Sequence, residues 1–288
     1  MRVAIFGVTL TALALVLAAT ATGESSVAAL SGSCAKANLN LVKDGQLSLA
    51  TDNPAFPPWW GGAPKKPWQV SNPASGKGYE SAVAYAVARQ LGFSKGQVTW
   101  SAVPFNNSFR PGKKPFDFYM AQVSYTRERA NAVSFSNSYY FVNQAVVANA
   151  GTPISNVKTV AGLRPYKLGA QVGTTSYDYI TRFIRPSQSP AVYDSNNDAI
   201  SALNAGQIDG IVVDLPTVFF VVAVQLDDGT IVGKLPQRGE REHFGMVFEK
   251  GNSLTRCVNR ALNRLWANGT IRGLQTKYLA RAGAPDLK

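Results

Sequence analysis

The sequence has little of what metal centres, nucleophilic enzymes and membrane bundles are made from. Its 288 residues include one histidine and two cysteines, too few for the clusters of a zinc site or a Cys–His catalytic pair. No metal-ligand spacing and no activated serine is visible, so no cofactor is expected. Acidic residues are scarce, 17 against 29 lysines and arginines, which leaves a formal charge of +12. Charged residues make up only 16%, unlike chains that stay disordered through high charge and low hydropathy. Beyond Ala19 no apolar run approaches the roughly 20 residues that cross a bilayer.

The excess of basic charge does not form a nucleic-acid footprint. Lysines and arginines occur singly or in short pairs such as Lys65-Lys66 and Lys113-Lys114, without a basic helix or a stripe of interleaved aromatics. No nucleic-acid partner is expected.

What is present suits a folded, exported protein. Apolar residues reach 45%, and the length suits two cores better than one. Arg2 followed by the apolar run Val3 to Ala19 reads as a secretory signal over 1–21, with Ala19-Thr20-Ala21 or Ala21-Thr22-Gly23 as the cleavage motif. Cys34 and Cys257 then stand at opposite ends of the mature chain. In an exported protein they suggest one disulfide closing a long loop, contributing up to about 5 kcal/mol. Lipidation of Cys34 is the alternative, although Leu30 stands four residues before it rather than three. The expected location is secreted or periplasmic, or tethered to the outer face of the cytoplasmic membrane.

Two α/β series follow one another. Gln46 to Thr51 alternates as a strand and enters the proline-rich loop Asp52 to Trp60. Val83, Val87 and Leu91 give a helix face between Gly78 and the stop at Gly92, and Gln97 to Val103 is a second strand. Such a βαβ unit marks a parallel sheet. Asp117 to Val123 and Gln144 to Asn149 are further strands. A second series starts at Lys167, with a strand to Gln171, a helix from Thr175 to Ile184, a helix around Ala199 to Asn204 and a strand Gly210 to Val213. Phe244 to Glu249 is a return strand, and two amphipathic helices, Leu254 to Trp266 and Ile271 to Leu279, end the chain. The expected fold is two α/β lobes joined by a two-strand hinge: first lobe 34–145 with a return part 241–288, second lobe 146–240.

Four short segments sit where strands give way to loops or helices. In the first, Asp52 lies beside Phe56, Trp59 and Trp60, aromatics that either stack a ligand or cap a lobe's own core. In the second, Ser124, Thr126 and Arg129 follow a strand; Arg129 can grip a carboxylate with two parallel hydrogen bonds. In the third, Gly173, Thr174 and Thr175 open a helix whose free N–H groups attract an anion, or simply cap it. In the fourth, Asp214 ends an apolar strand, as partner of a ligand ammonium or as a helix cap.

The order of these segments resembles the polar amino-acid family of periplasmic solute-binding proteins, the type II class that serves ABC importers. The S-x-T-x-x-R signature matches Ser124, Thr126 and Arg129; G-T-T matches Gly173 to Thr175; L-x-x-G-x-I-D-G-x-x-x-D matches Leu203 to Asp214; and the opening strand and loop match Leu47 to Trp59. The resemblance implies a periplasmic binding protein-like II fold, a free L-amino acid as ligand, an ABC transporter permease as partner and a monomer. By it Arg129 and Thr175, beside Thr174, hold the α-carboxylate, Asp214 the α-ammonium, Phe56 stacks on the ligand with Trp59 near, Asp52 faces its side chain and Ser124 adds a polar contact. Departures fall on the side-chain pocket: Ala121 and Gln122 replace a serine pair, with Gln122 itself a candidate contact, Tyr125 replaces an aliphatic residue, and Trp60 to Pro73 is a long insertion. An acid at position 52 disfavours acidic ligands. A dehydratase acting on small carboxylates on the same scaffold, and a soluble sensor, are the other function classes; the lone His243, near the second crossing, gives the enzyme little support.

Overall fold

A computed structural model of the chain describes residues 28–279 and 283–288. The expected signal segment, 1–21, lies outside the described residues. The architecture is α/β, with two five-stranded sheets that form two lobes.

In the first sheet the strands run Val98–Ala102, Leu47–Thr51, Phe118–Tyr119, Val247–Phe248, Ser134–Phe135. Leu47–Thr51 is parallel to both of its neighbours, while Val247–Phe248 runs antiparallel to both of its own. The helix Tyr79–Gln90 covers this sheet with the stripe expected from its spacing: Val83, Val87 and Leu91 are fully buried. Against it pack Leu254–Ala267 and Thr270–Leu279. The apolar positions 254, 258, 261, 262 and 265 of the former recur every three or four residues, which turns one face to the core.

The second sheet is ordered Gly229–Lys234, Gln144–Asn149, Gly210–Asp214, Leu168–Gln171, Ala191–Tyr193. Its last three strands are parallel and its first two join antiparallel. Gln144–Asn149 lies wholly in this sheet, so the change of sheet precedes Gln144 rather than following residue 145. Between the lobes Tyr140–Phe141 pairs antiparallel with His243–Phe244, and these are the two crossings.

Several expected elements are shorter or interrupted. The strand expected over 117–123 hydrogen-bonds as a strand only at Phe118–Tyr119, because the chain turns at Gln122, whose φ is +51°. The return strand 244–249 is split into His243–Phe244 and Val247–Phe248. The helix from Thr175 continues beyond Tyr179 as a wider π turn to Ile184. Residues 285–288 also depart from the expected return part of the first lobe. Leu287 is buried in the second lobe's core, the Lys234 and Leu287 N–H groups donate to Pro285 and Lys234 carbonyls, and Lys288 exchanges backbone hydrogen bonds with Lys158 and Val160.

Cys34 and Cys257 are joined in a disulfide across a separation of 223 residues. It fastens the start of the described chain to the Leu254–Ala267 helix. The lipidation alternative needs a free thiol at Cys34, and that sulfur is bonded. No helix among the described residues is long and apolar enough to cross a membrane.

One glycine fixes the approach of the proline-rich loop. Gly78 has φ +88°, and a Cβ there would lie 2.4 Å from the Trp60 carbonyl carbon. The contact exists because the first helical N–H groups, on Tyr79 and Glu80, donate to the carbonyls of Pro58 and Trp59 at 3.0 and 2.8 Å; the loop caps the helix. Gly78→Ala is therefore expected to destabilise the fold by roughly 2 kcal/mol or more, read as a lowered unfolding midpoint. An unchanged midpoint would show that the loop can back away freely.

Candidate ligand-binding site

The C-terminal ends of strands from both sheets point at one cavity of about 120 Å³. Counting 10–15 Å³ per water, it has room for roughly ten waters, the scale of a small metabolite. Asp52 follows the strand Leu47–Thr51, Asp214 ends Gly210–Asp214, and Thr174 and Thr175 follow Leu168–Gln171. All line the cavity, with Phe56, Trp59, Gln122, Ser124 and Arg129. Strand ends of α/β sheets converge in this way on ligand clefts.

Arg129 is 8% exposed and lies in the first turn of the short helix Arg127–Ala132, whose N-cap Thr126 accepts from the Arg129 N–H at 3.1 Å. Its guanidinium spans the cleft. Nη1 donates to the Ser124 carbonyl at 2.6 Å in the first lobe, and Nη2 to the Gly173 carbonyl at 2.7 Å in the second. The rings of Phe105 and Phe109 lie 5.5 and 4.6 Å from the guanidinium carbon. Burial lowers its pKa to about 10, opposed by the carboxylates of Glu242, Asp178 and Asp214, so the group stays charged at neutral pH. Two of its five N–H donors serve the carbonyls, and the rest can meet an anion. Gly173 has φ +72°, a conformation that strains a side chain, and a Cβ there would lie 2.7 Å from Asn106 Oδ1 and push that side chain aside.

Asp214 is half-buried, with its exposure toward the cavity, and faces Gln144 across the sheet as a register pair. The Gln144 amide donates to Asp214 at 2.8 Å and to both oxygens of Glu242 at 3.1 Å, while its carbonyl accepts from Ser176 at 2.7 Å. Burial, then the Glu242 charge, raise the Asp214 pKa well above the usual carboxylate range. A ligand cation would reverse that. Glu242 also accepts from the hydroxyls of Ser124 and Thr175, each at 2.6 Å. The Thr174 hydroxyl is spent locally. It donates to the Gln171 carbonyl at 2.7 Å and accepts from the Tyr177 N–H at 3.2 Å, so it acts as a helix cap.

In the first lobe, Asp52 accepts from the Asn53 N–H at 2.8 Å. Burial raises its pKa, partly offset by hydrogen bonds from the Asn53 and Phe105 backbone. Phe56 stands 6.1 Å from Phe220 of the other lobe, ring centre to ring centre. Trp59 follows the core-capping alternative. It is 1% exposed, edge-on to Tyr79, Tyr140 and Phe244, and its indole N–H donates to Thr217 across the cleft at 2.9 Å. Trp60 is likewise buried, edge-on to Trp100. Gln122 is held from behind: its backbone N–H donates to Glu80 at 2.7 Å, and its amide donates to the other Glu80 oxygen. Glu80 is fully buried, accepts from Tyr139 as well, and burial raises its pKa to about 7.

Residues 61–281 match the bacterial extracellular solute-binding proteins, family 3. The chain belongs to this family. Among curated relatives of this solute-binding chain, the L-arginine-binding protein of Pseudomonas aeruginosa is 28% identical over 218 residues, 70% of this chain and 79% of that one. An ABC transporter glutamine-binding protein of Bacillus subtilis is 23% identical over 214 residues, 73% and 76% of the two chains. The structure of an ancestral arginine-binding protein bound to arginine has a TM-score of 0.65 at 25% identity, covering 82% of this chain and 99% of that one. The family-3 match begins at residue 61, after the loop that carries Asp52, Phe56 and Trp59.

Sequence reasoning missed Glu80, Gln144, Thr217, Phe220 and Glu242. Thr217 and Phe220 follow Asp214 by one helical turn and two, which sets them on its side of the cleft. Glu242 sits in the charged run Glu240 to Glu242, just before the second crossing. The available signal was strand alternation: Glu242 and the fully buried Phe244 lie two apart and share a face.

Proposed function

We propose that this protein binds one free amino acid between its lobes, outside the cytoplasmic membrane, and delivers it to an ABC importer. A single observation carries the reading. A buried cation, Arg129, and a half-buried carboxylate, Asp214, line one small cavity and come from opposite lobes. A zwitterion satisfies both at once, and the names of the family-3 relatives support the same ligand class. Arg129 takes the α-carboxylate and Asp214 the α-ammonium, with the side chain running between Phe56 and Phe220 toward Asp52. The lobes, the first built around 34–143 with 241–279 and the second around 144–240 with 285–288, close on the ligand by hinge motion. The protein acts as a monomeric binder, not as an enzyme, and is free rather than lipid-tethered through Cys34.

Calorimetry of the mature protein against the twenty amino acids tests this; binding of none overturns it. In the same titrations Asp52→Asn is expected to reorder the preferred ligands by about 1–3 kcal/mol, raising acidic relative to cationic ones. An unchanged order would remove Asp52 from the side-chain pocket.

A further inference from the structure

The net charge of +12 is not shared between the lobes. The first, 34–143 with 241–279, carries 19 lysines and arginines against 7 acidic residues, and the second, 144–240 with 285–288, carries 8 against 9. The imbalance is sharpest late in the chain: from Lys250 to Pro285 there are seven basic residues and no acidic one. Self-repulsion in so one-sided a lobe is relieved when an outside anion lies against it.

Folding draws part of this charge into a row. Arg256, Arg260 and Arg264 stand singly in the sequence, but their spacing of four sets them on one face of the helix Leu254–Ala267, over about 12 Å. All three are exposed, away from the buried face formed by 254, 258, 261, 262 and 265. Among the described residues no carboxylate lies within ion-pair distance of the row; the ion pairs found there join Arg127 to Glu240 and Lys234 to Asp286.

Beside the row runs a shallow, open groove of about 530 Å³, lined by Arg256, Arg260, Ser134, Asn252, Asn259 and Asn263. Its neutral groups already use their oxygens. Those of Asn259 and Asn263 accept from the backbone N–H and the side-chain amide of Asn137 at 2.6 and 3.1 Å. That of Asn252 accepts from the Leu254 N–H, and the Ser134 hydroxyl from the Gly251 N–H, each at 2.9 Å. What remains to meet a ligand is mainly donors: three amide NH2 groups, a hydroxyl hydrogen and two guanidinium groups. Donors without a carboxylate favour an anion with several oxygens, as a phosphate has.

The chain enters the fold at the far end of the same row. Arg264 donates to the Ala28 carbonyl at 3.3 Å, and only eight residues separate Ala28 from the apolar run Val3 to Ala19. We propose that this face docks the first lobe on the phosphate headgroups of an anionic membrane. The partner is a surface rather than one small anion, because the row is exposed, open and longer than a single phosphate, and because the segment that reads as an export signal joins the fold beside it. The face shares no residue with the lining of the ligand cavity, so the proposal stands apart from the amino-acid reading.

The test is flotation of the mature protein with vesicles of phosphatidylcholine alone or mixed with phosphatidylglycerol. The protein is expected to bind only the mixed vesicles at low salt and to leave them as salt is raised. The triple variant Arg256→Gln, Arg260→Gln, Arg264→Gln is expected to bind roughly a hundredfold more weakly. The triple variant Lys65→Gln, Lys66→Gln, Lys77→Gln removes the same charge from other exposed positions of that lobe. It should lose less than about tenfold, because screening confines the attraction to charges near the membrane. Thermal unfolding confirms that both variants are folded. Equal losses in the two would reduce the attraction to net charge and overturn the site. Failure to bind the mixed vesicles overturns it too, as does release by inorganic phosphate at an ionic strength where chloride leaves the protein bound, which would assign the groove to free phosphate.

Discussion

Arg129→Ala is expected to lower amino-acid affinity by at least about a hundredfold, roughly 3 kcal/mol, and to lower the unfolding midpoint as well. The guanidinium is the cation that lines the cavity from the first lobe, and it donates to the Ser124 and Gly173 carbonyls, one from each lobe. Truncation leaves those carbonyls without their donors in a buried place, at about 1–3 kcal/mol each, and opens a hole against Phe105 and Phe109. Removing a desolvated charge offsets part of that cost, so the binding loss should exceed the stability loss. Arg129→Lys should not restore affinity, because an ammonium is a single point of charge and cannot span two carbonyls while meeting a carboxylate. Calorimetry and thermal unfolding of both variants decide it. Near-normal affinity in Arg129→Ala would assign the ligand carboxylate to another residue.

Reduction of the disulfide, or a double change of Cys34 and Cys257 to alanine, is expected to cost up to about 5 kcal/mol, the loop-entropy figure for so long a closed loop. Both cysteines are buried in the first lobe's core cluster, beside Leu30 and the Leu254–Ala267 helix. The loss should appear as separation of the chain ends from that lobe, with binding retained wherever the protein stays folded. Denaturant unfolding with and without reductant measures it; coincident curves would show that packing alone holds the two segments.

Legibility in the sequence tracked how local each signal was. The Val83–Val87–Leu91 stripe, the disulfide and the series of strand ends could be read because each rests on spacing within one segment or on a pairing with no competitor. Arg129, Asp214 and the S-x-T-x-x-R and G-T-T segments were found the same way, and the structure brings them to one cavity. Roles that depend on who stands opposite were not legible. Nothing within Thr51 to Trp60 distinguishes Phe56, which faces Phe220, from Trp59, which sinks into the core. Glu242 carries an ordinary surface signature until the pairing of the crossings turns it toward Ser124 and Thr175. Gln122 shows the same limit in reverse: it became a candidate because it stands where the resembled family has a serine, and although it lines the cavity, Glu80, 42 residues earlier, holds its amide and N–H.

The tail that returns to the second sheet makes a third connection between the lobes, and it acts as a leash. Leu279 is anchored in the first lobe's core, while Pro285 and Leu287 are hydrogen-bonded to Lys234 in the second. An ion pair between Lys234 and Asp286 at 2.8 Å adds to that attachment. Five residues, 280–284, separate Leu279 from Pro285, and the six steps between them, at about 3.4 Å each, reach no farther than roughly 20 Å. Lobe opening thus has a fixed limit of travel on this flank, beyond which the tail must peel from its sheet.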